Sequence, residues 1–217
     1  AGAYQNSSMD EFYPSKLGKL LGPSVEVINQ GVGGWNSFHL ARFAERGLTR
    51  LEPDVITVYC GVNELLEVPV PYRDLHAAWK RGALKAGPRW LADLRLFHGL
   101  RFLARALRGS TVAVPPAHTQ ENLEAIAVAA EGMHARVLLM SEAVNPRPEA
   151  LEPWWDAMRA VAEAHPDVRF LDTAPLFASR ASQSFLDQNH LSQPGHRDLA
   201  RILAAELKRL GWLKARG

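Results

Sequence analysis

Cysteine is nearly absent from this chain: Cys60 is the only one in 217 residues. A lone cysteine forms no internal disulfide and no multi-cysteine zinc site. Charge of one sign is also lacking. Lys and Arg number 25 against 23 Asp and Glu, a formal +2 at pH 7, so no global field steers the protein toward nucleic acid. No apolar run is long enough to cross a membrane as a helix. The opening AGAYQNSSMDEF has neither the basic nor the apolar part of a signal peptide. What is present is globular: 47% hydrophobic and 22% charged residues, which excludes a disordered, collagen-like or low-complexity chain. A single domain over 1–217 is expected, burying about 70% of its unfolded surface and needing no disulfide staple.

Strand and helix patterns alternate. Val25–Asn29 is a short β-rich run that ends in the glycine cluster QGVGGWNS. Residues 37–51 carry Leu40, Phe43, Ala44 and Leu48 on one helical face, and Pro53 stops them. Residues 54–60 are nearly all apolar, as a strand buried on both faces requires. Thr119 is placed to cap a helix over 119–131. RVLLM at 136–140 reads as a second buried strand, 151–164 as a helix stopped by Pro166, and 168–171 as the last strand. Ser192 caps a final helix with Pro194 in its first turn and Leu199, Ile202, Leu203, Leu207 and Leu210 on its buried face. Repeated βα units predict an α/β fold: a parallel sheet with helices on both faces and its chemistry at the carboxyl ends of the strands. Two stretches break the rhythm. Residues 65–118 form a long helical insertion or lid whose second half, 87–109, is amphipathic and rich in arginine. It reads as a packed helix with a solvated basic face, or as a lid or membrane-surface helix. Residues 174–186 read as a polar loop.

Three segments offer catalytic parts. In Gly31-Val32-Gly33-Gly34-Trp35-Asn36-Ser37 the glycines let backbone N–H groups approach a ligand. The cluster is not a dinucleotide fingerprint, because Asn36 stands where the third glycine is needed, nor a phosphate loop, because no Gly-Lys-Ser/Thr follows. A tight turn before a helix explains it equally well. Asn63, just after the 54–60 strand, suits an oxyanion donor or a simple turn cap. In Asp187-Gln188-Asn189-His190 the carboxylate can hold the imidazole Nδ1–H and leave Nε2 as a general base. A polar loop with a surface histidine is the plainer reading. Asp187, His190 and His196 also offer a metal-ligand alternative, which lacks a further His or Cys cluster to complete it.

In this order the segments resemble the SGNH (GDSL-like) hydrolase family, through FYPSKLGKLLG, VEVINQGVGGWNS, LEPDVITVYCGVNELLE and FLDQNHLSQPGHRDLA. The resemblance spans most of the chain outside 65–118. It implies a flavodoxin-like sheet and a serine ester hydrolase working on an acyl or acetyl ester, with no metal or organic cofactor. Gly34 matches the backbone oxyanion donor, Asn63 the side-chain donor, and Asp187 and His190 the Asp-x-x-His of the triad. Glu64 stands where Asp is commoner. The family leans toward a secreted, periplasmic or membrane-anchored setting and toward lipid, carbohydrate or other small ester substrates. The sequence itself fixes neither. Trp35, Trp79, Trp90, Trp154 and Trp155 are candidates to line a substrate pocket or to fill the core.

The family's first block, a central strand ending in Gly-x-Ser, has no counterpart before FYPSKLG. The nucleophile is therefore expected a few residues upstream of Ala1, leaving the 217 residues with negligible esterase activity by themselves. The strands at 25–29 and 54–60 are expected to flank the gap that this central strand would fill. Ser7 and Ser8 have little strand character before them, Ser141 follows a strand without a motif, Ser37 starts a helix, and Cys60 lies inside a buried run. Two other functions fit the same residues: a non-catalytic binding module on this fold, and an acyltransferase that passes the acyl group to a hydroxyl. A nucleotide or phosphate binder lacks the glycine spacing and the lysine.

Overall fold

The computed structural model describes residues 9–81, 109–146 and 148–213. Along the chain run α1 (Tyr13–Leu21), α2 (Ser37–Gly47), β1 (Val55–Cys60), β2 (Glu67–Val68), α3 (Tyr72–Lys80), β3 (Thr111–Val112), α4 (Pro116–Glu131), β4 (Arg136–Ser141), α5 (Glu152–Ala164), β5 (Val168–Leu171), α6 (Ala181–Ser184) and α7 (Gln193–Arg209). The β-branched and aliphatic runs form a parallel sheet in the order β1-β4-β5, and β2 and β3 pair as a small antiparallel ribbon.

β4 shows why helices must cover both faces. Its side chains alternate in direction. Val137 and Leu139 pack with Val58, Cys60, Leu123, Ile126, Trp155 and Met158 on the side of α2, α4 and α5. Leu138 and Met140 pack with Leu17, Phe177, Leu199, Leu203 and Leu207 on the side of α1 and α7. This is the α/β architecture with a parallel sheet that the βα alternation predicts. Among the described residues, no helix is long and apolar enough to cross a membrane.

Three local expectations are revised. Val25–Asn29 is not a strand. It keeps a strand's alternation, with Val25 and Val27 half-buried and Glu26 and Ile28 exposed, but among the described residues it joins no ladder. A β-rich composition makes a strand only where a neighbour supplies hydrogen bonds, and this segment is not paired to β1. Val27 instead rests over Gly18 of α1. Thr119 does not cap its helix: α4 starts earlier, at Pro116, with Pro115 as the cap residue. Proline at the first helical position has a preset φ and no N–H to leave unpaired. Thr119 lies fully buried inside the helix. Residues 174–186 are mostly 3-10 and α-helical, at Ala174–Arg180 and α6. The insertion at 65–118 takes the last residue of a 3-10 turn at Val62–Leu65, then β2, α3 and β3, and runs into the start of α4. Most of its arginine-rich amphipathic half lies outside the described residues.

α7 is capped by Ser192, whose hydroxyl accepts the Gly195 N–H at 3.2 Å. Its first turn sits directly on the end of α6: a Cβ on Gly195 would lie 2.1 Å from the Ser184 carbonyl oxygen. That carbonyl already accepts the Ser192 N–H at 2.9 Å, so it cannot retreat without breaking a bond. Gly195→Ala should therefore destabilise the protein by about 1–3 kcal/mol, a fall of several degrees in Tm. A Tm unchanged by the substitution in thermal unfolding would show that the α6–α7 contact is loose.

Candidate active site

The loop from Ser184 to Ser192 is folded on itself. Ser192 donates to the Ser184 carbonyl, Leu186 donates to the His190 carbonyl at 2.7 Å, and Phe185 bridges Leu191. Phe185 packs edge-on against Phe177, and Leu191 is buried, so the loop is anchored in the core at both ends. Its polar tip faces outward. Asp187 Oδ1 accepts the Asn189 N–H at 3.0 Å and the His190 N–H at 2.8 Å. Asp187 Oδ2 lies 2.6 Å from His190 Nδ1. The His190 hydrogen bond, with the Asn189 N–H behind it, pulls the Asp187 carboxyl down to about 2. An ionised acceptor on Nδ1 puts the ring proton there and leaves Nε2 as the basic nitrogen. The His190 side chain is 34% exposed, within reach of a substrate.

The glycine cluster and the Asn63 turn meet at the carboxyl end of β1. Trp35 donates to the Val32 carbonyl at 3.2 Å, closing a turn that needs a positive φ at Gly34, observed at +83°. Asn36 and His39 cap α2 reciprocally, with His39 Nδ1 2.8 Å from Asn36 Oδ1. The Asn63 amide donates to the Trp35 carbonyl at 3.0 Å, and the Ser37 N–H donates to Glu64 Oε1 at 2.8 Å. Gly34 and Asn63 thus belong to one hydrogen-bonded unit. Glu64 is fully buried, and burial pushes its carboxyl up to about 8. At pH 7 it serves as a neutral acceptor.

Glu142, which the sequence reading passed over, stands between these two parts. Its Oε2 accepts the Val62 N–H at 2.9 Å, and its carboxylate also takes a hydrogen bond from the Asn189 side chain. The signal in the sequence is a carboxylate just after the apolar VLLM stretch of β4, where burying it needs a reason.

The remaining candidates are accounted for in turn. The Ser141 hydroxyl donates to Asp172 Oδ1 at 2.8 Å and accepts the Thr173 N–H at 2.8 Å, inside a buried network. The Ser37 hydroxyl accepts from Asn122 Nδ2 at 3.1 Å. Cys60 is buried, and burial together with Glu64 and Glu142 pushes its thiol up, which makes it a poor nucleophile. Ser7 and Ser8 lie outside the described residues, as does Trp90. Trp154 and Trp155 are core residues, Trp35 stacks on His39, and Trp79 is 63% exposed. His196 does not join Asp187 and His190. Its ring lies against Phe12 and Tyr13, and burial lowers it to about 4. Among the described residues, no three His, Cys, Asp or Glu side chains are grouped to hold a metal ion.

Compared with known proteins, residues 1–197 match the model of the GDSL-like Lipase/Acylhydrolase family. No curated protein matches in sequence. Among solved structures, an alpha/beta hydrolase enzyme from the metagenome of Lake Arreo is similar with a TM-score of 0.62 and 19% identity, over 98% of this chain and 88% of that one. An acetylxylan esterase from Geobacillus stearothermophilus is similar with a TM-score of 0.59 and 17% identity, over 94% and 84%.

Proposed function

The chain belongs to the GDSL-like Lipase/Acylhydrolase family, and we propose that it is a serine hydrolase of acyl or acetyl esters. The observation that carries this reading is the Asp187 Oδ2 to His190 Nδ1 contact of 2.6 Å, which assigns the base role to Nε2. A serine hydroxyl attacks the ester carbonyl while His190 Nε2 takes its proton. The carbonyl oxygen becomes an oxyanion, stabilised by the Gly34 N–H and by the Asn63 amide hydrogen not used by Trp35. His190 then protonates the leaving alkoxide, and water, deprotonated by the same nitrogen, releases the acid from the acyl-enzyme. Asp187 stays ionised throughout and balances the imidazolium charge. No step calls for a cofactor.

The test is hydrolysis of p-nitrophenyl acetate by the protein as its native gene encodes it, together with labelling by a fluorophosphonate. We expect one serine to be labelled, and both labelling and turnover to fall by at least about 10³ in His190→Ala. Turnover that survives loss of the imidazole overturns the reading.

A further inference from the structure

β1 and β4 run in register, with Cys60 opposite Ser141. The chain therefore leaves both strands side by side, at Gly61-Val62 and at Glu142. A Cβ on Gly61 would lie only 3.6 Å from the Glu142 Cβ. From this position the Glu142 carboxylate reaches in two directions. On one side it accepts the Val62 N–H at 2.9 Å and so holds the turn that presents Asn63. On the other it takes a hydrogen bond from the side chain of Asn189, the residue before His190. The residues that follow strengthen the tie. Ala143 donates to the Tyr59 hydroxyl at 2.9 Å, and Asn145 donates to the Gln188 carbonyl at 2.8 Å.

We propose that Glu142 is a positioning residue of this site: it fixes the Asn63 turn and the His190 loop in one geometry. The proposal rests on the hydrolase reading above.

Burial pushes the Glu142 carboxyl up, against the pull of the Val62 N–H and of the Asn189 side chain. A carboxyl is costly to bury without partners, and its two hydrogen bonds, one to each part of the site, offset that cost.

Glu142→Gln and Glu142→Ala separate the two holds. The glutamine oxygen still serves Val62, but its amide end cannot accept from Asn189, and alanine serves neither. In p-nitrophenyl acetate turnover by the native protein, kcat should fall about tenfold in Glu142→Gln, with KM within about twofold and Tm unchanged, and further in Glu142→Ala. In NMR of the 217-residue chain, the Asn189 side-chain amide resonance should move in Glu142→Gln, while the Val62 N–H should exchange faster only in Glu142→Ala. If the alanine variant does not fold, Glu142→Gln alone decides. An unmoved Asn189 resonance overturns the proposal, and so does a kcat that falls only in step with Tm. The NMR result does not depend on turnover: a protein that hydrolyses no ester defeats the hydrolase reading, while the Asn189 resonance still judges the hold of Glu142 on the His190 loop.

Discussion

Asp187→Asn should lower kcat by about 10³–10⁴ while leaving the fold intact. The asparagine is isosteric, and its oxygen can still accept the Asn189 and His190 N–H groups, which lie 3.0 and 2.8 Å from Asp187 Oδ1. What changes is the partner offered to His190 Nδ1. In place of Oδ2 at 2.6 Å stands an NH₂ group, which can only donate. It selects the tautomer with the proton on Nε2, and that ring cannot act as the base. The lower end of the range reflects solvent, because the Asp187 side chain is 52% exposed and water screens part of its charge. Asp187 titrates near 2, so the comparison holds at any ordinary assay pH. Steady-state kinetics on an aryl ester measure it. A loss below tenfold would show that Asp187 shapes the loop and does not orient the base.

The parts of this site that sequence could reveal are those whose geometry is local. Asp187 and His190 are three residues apart within one loop, so spacing alone brings carboxylate and ring together. Ser192 and Pro194 open α7 by the same logic. The apolar run at β4 announces a strand covered on both faces: four consecutive residues, VLLM, carry no polar side chain. What spacing cannot supply is the partner across the sheet. Glu142 and Val62 are 80 residues apart and meet only because β1 and β4 pair in parallel register. The carboxylate in SEAV stands out after an apolar strand, but nothing there names Val62 as its partner. Val25–Asn29 fails for the converse reason: its composition is right, but a strand is a property of two segments. The neutral state of Glu64 is likewise a product of tertiary burial, since an isolated Asn-Glu pair titrates normally.

Asn63→Ala should reduce kcat by about 10²–10³, roughly 2.7–4 kcal/mol of transition-state stabilisation, with little change in KM. The amide has two hydrogens. One is spent on the Trp35 carbonyl at 3.0 Å, and the other is the donor that the oxyanion requires. Alanine removes both, so a loss of rate by itself could arise from a loosened Gly34 turn. Asn63→Asp distinguishes the two causes. Its carboxylate keeps the size of the amide but donates to neither carbonyl nor oxyanion, and its charge repels the tetrahedral intermediate. If Asn63 is an oxyanion donor, the aspartate variant should be worse than the alanine variant in kcat at a similar Tm. If Asn63 only ties the turn to Trp35, both variants lose the same tie and should show similar kcat, falling together with Tm. Kinetics and thermal unfolding on the two variants decide it, and equal activities would reduce Asn63 to a brace for the Gly34 turn.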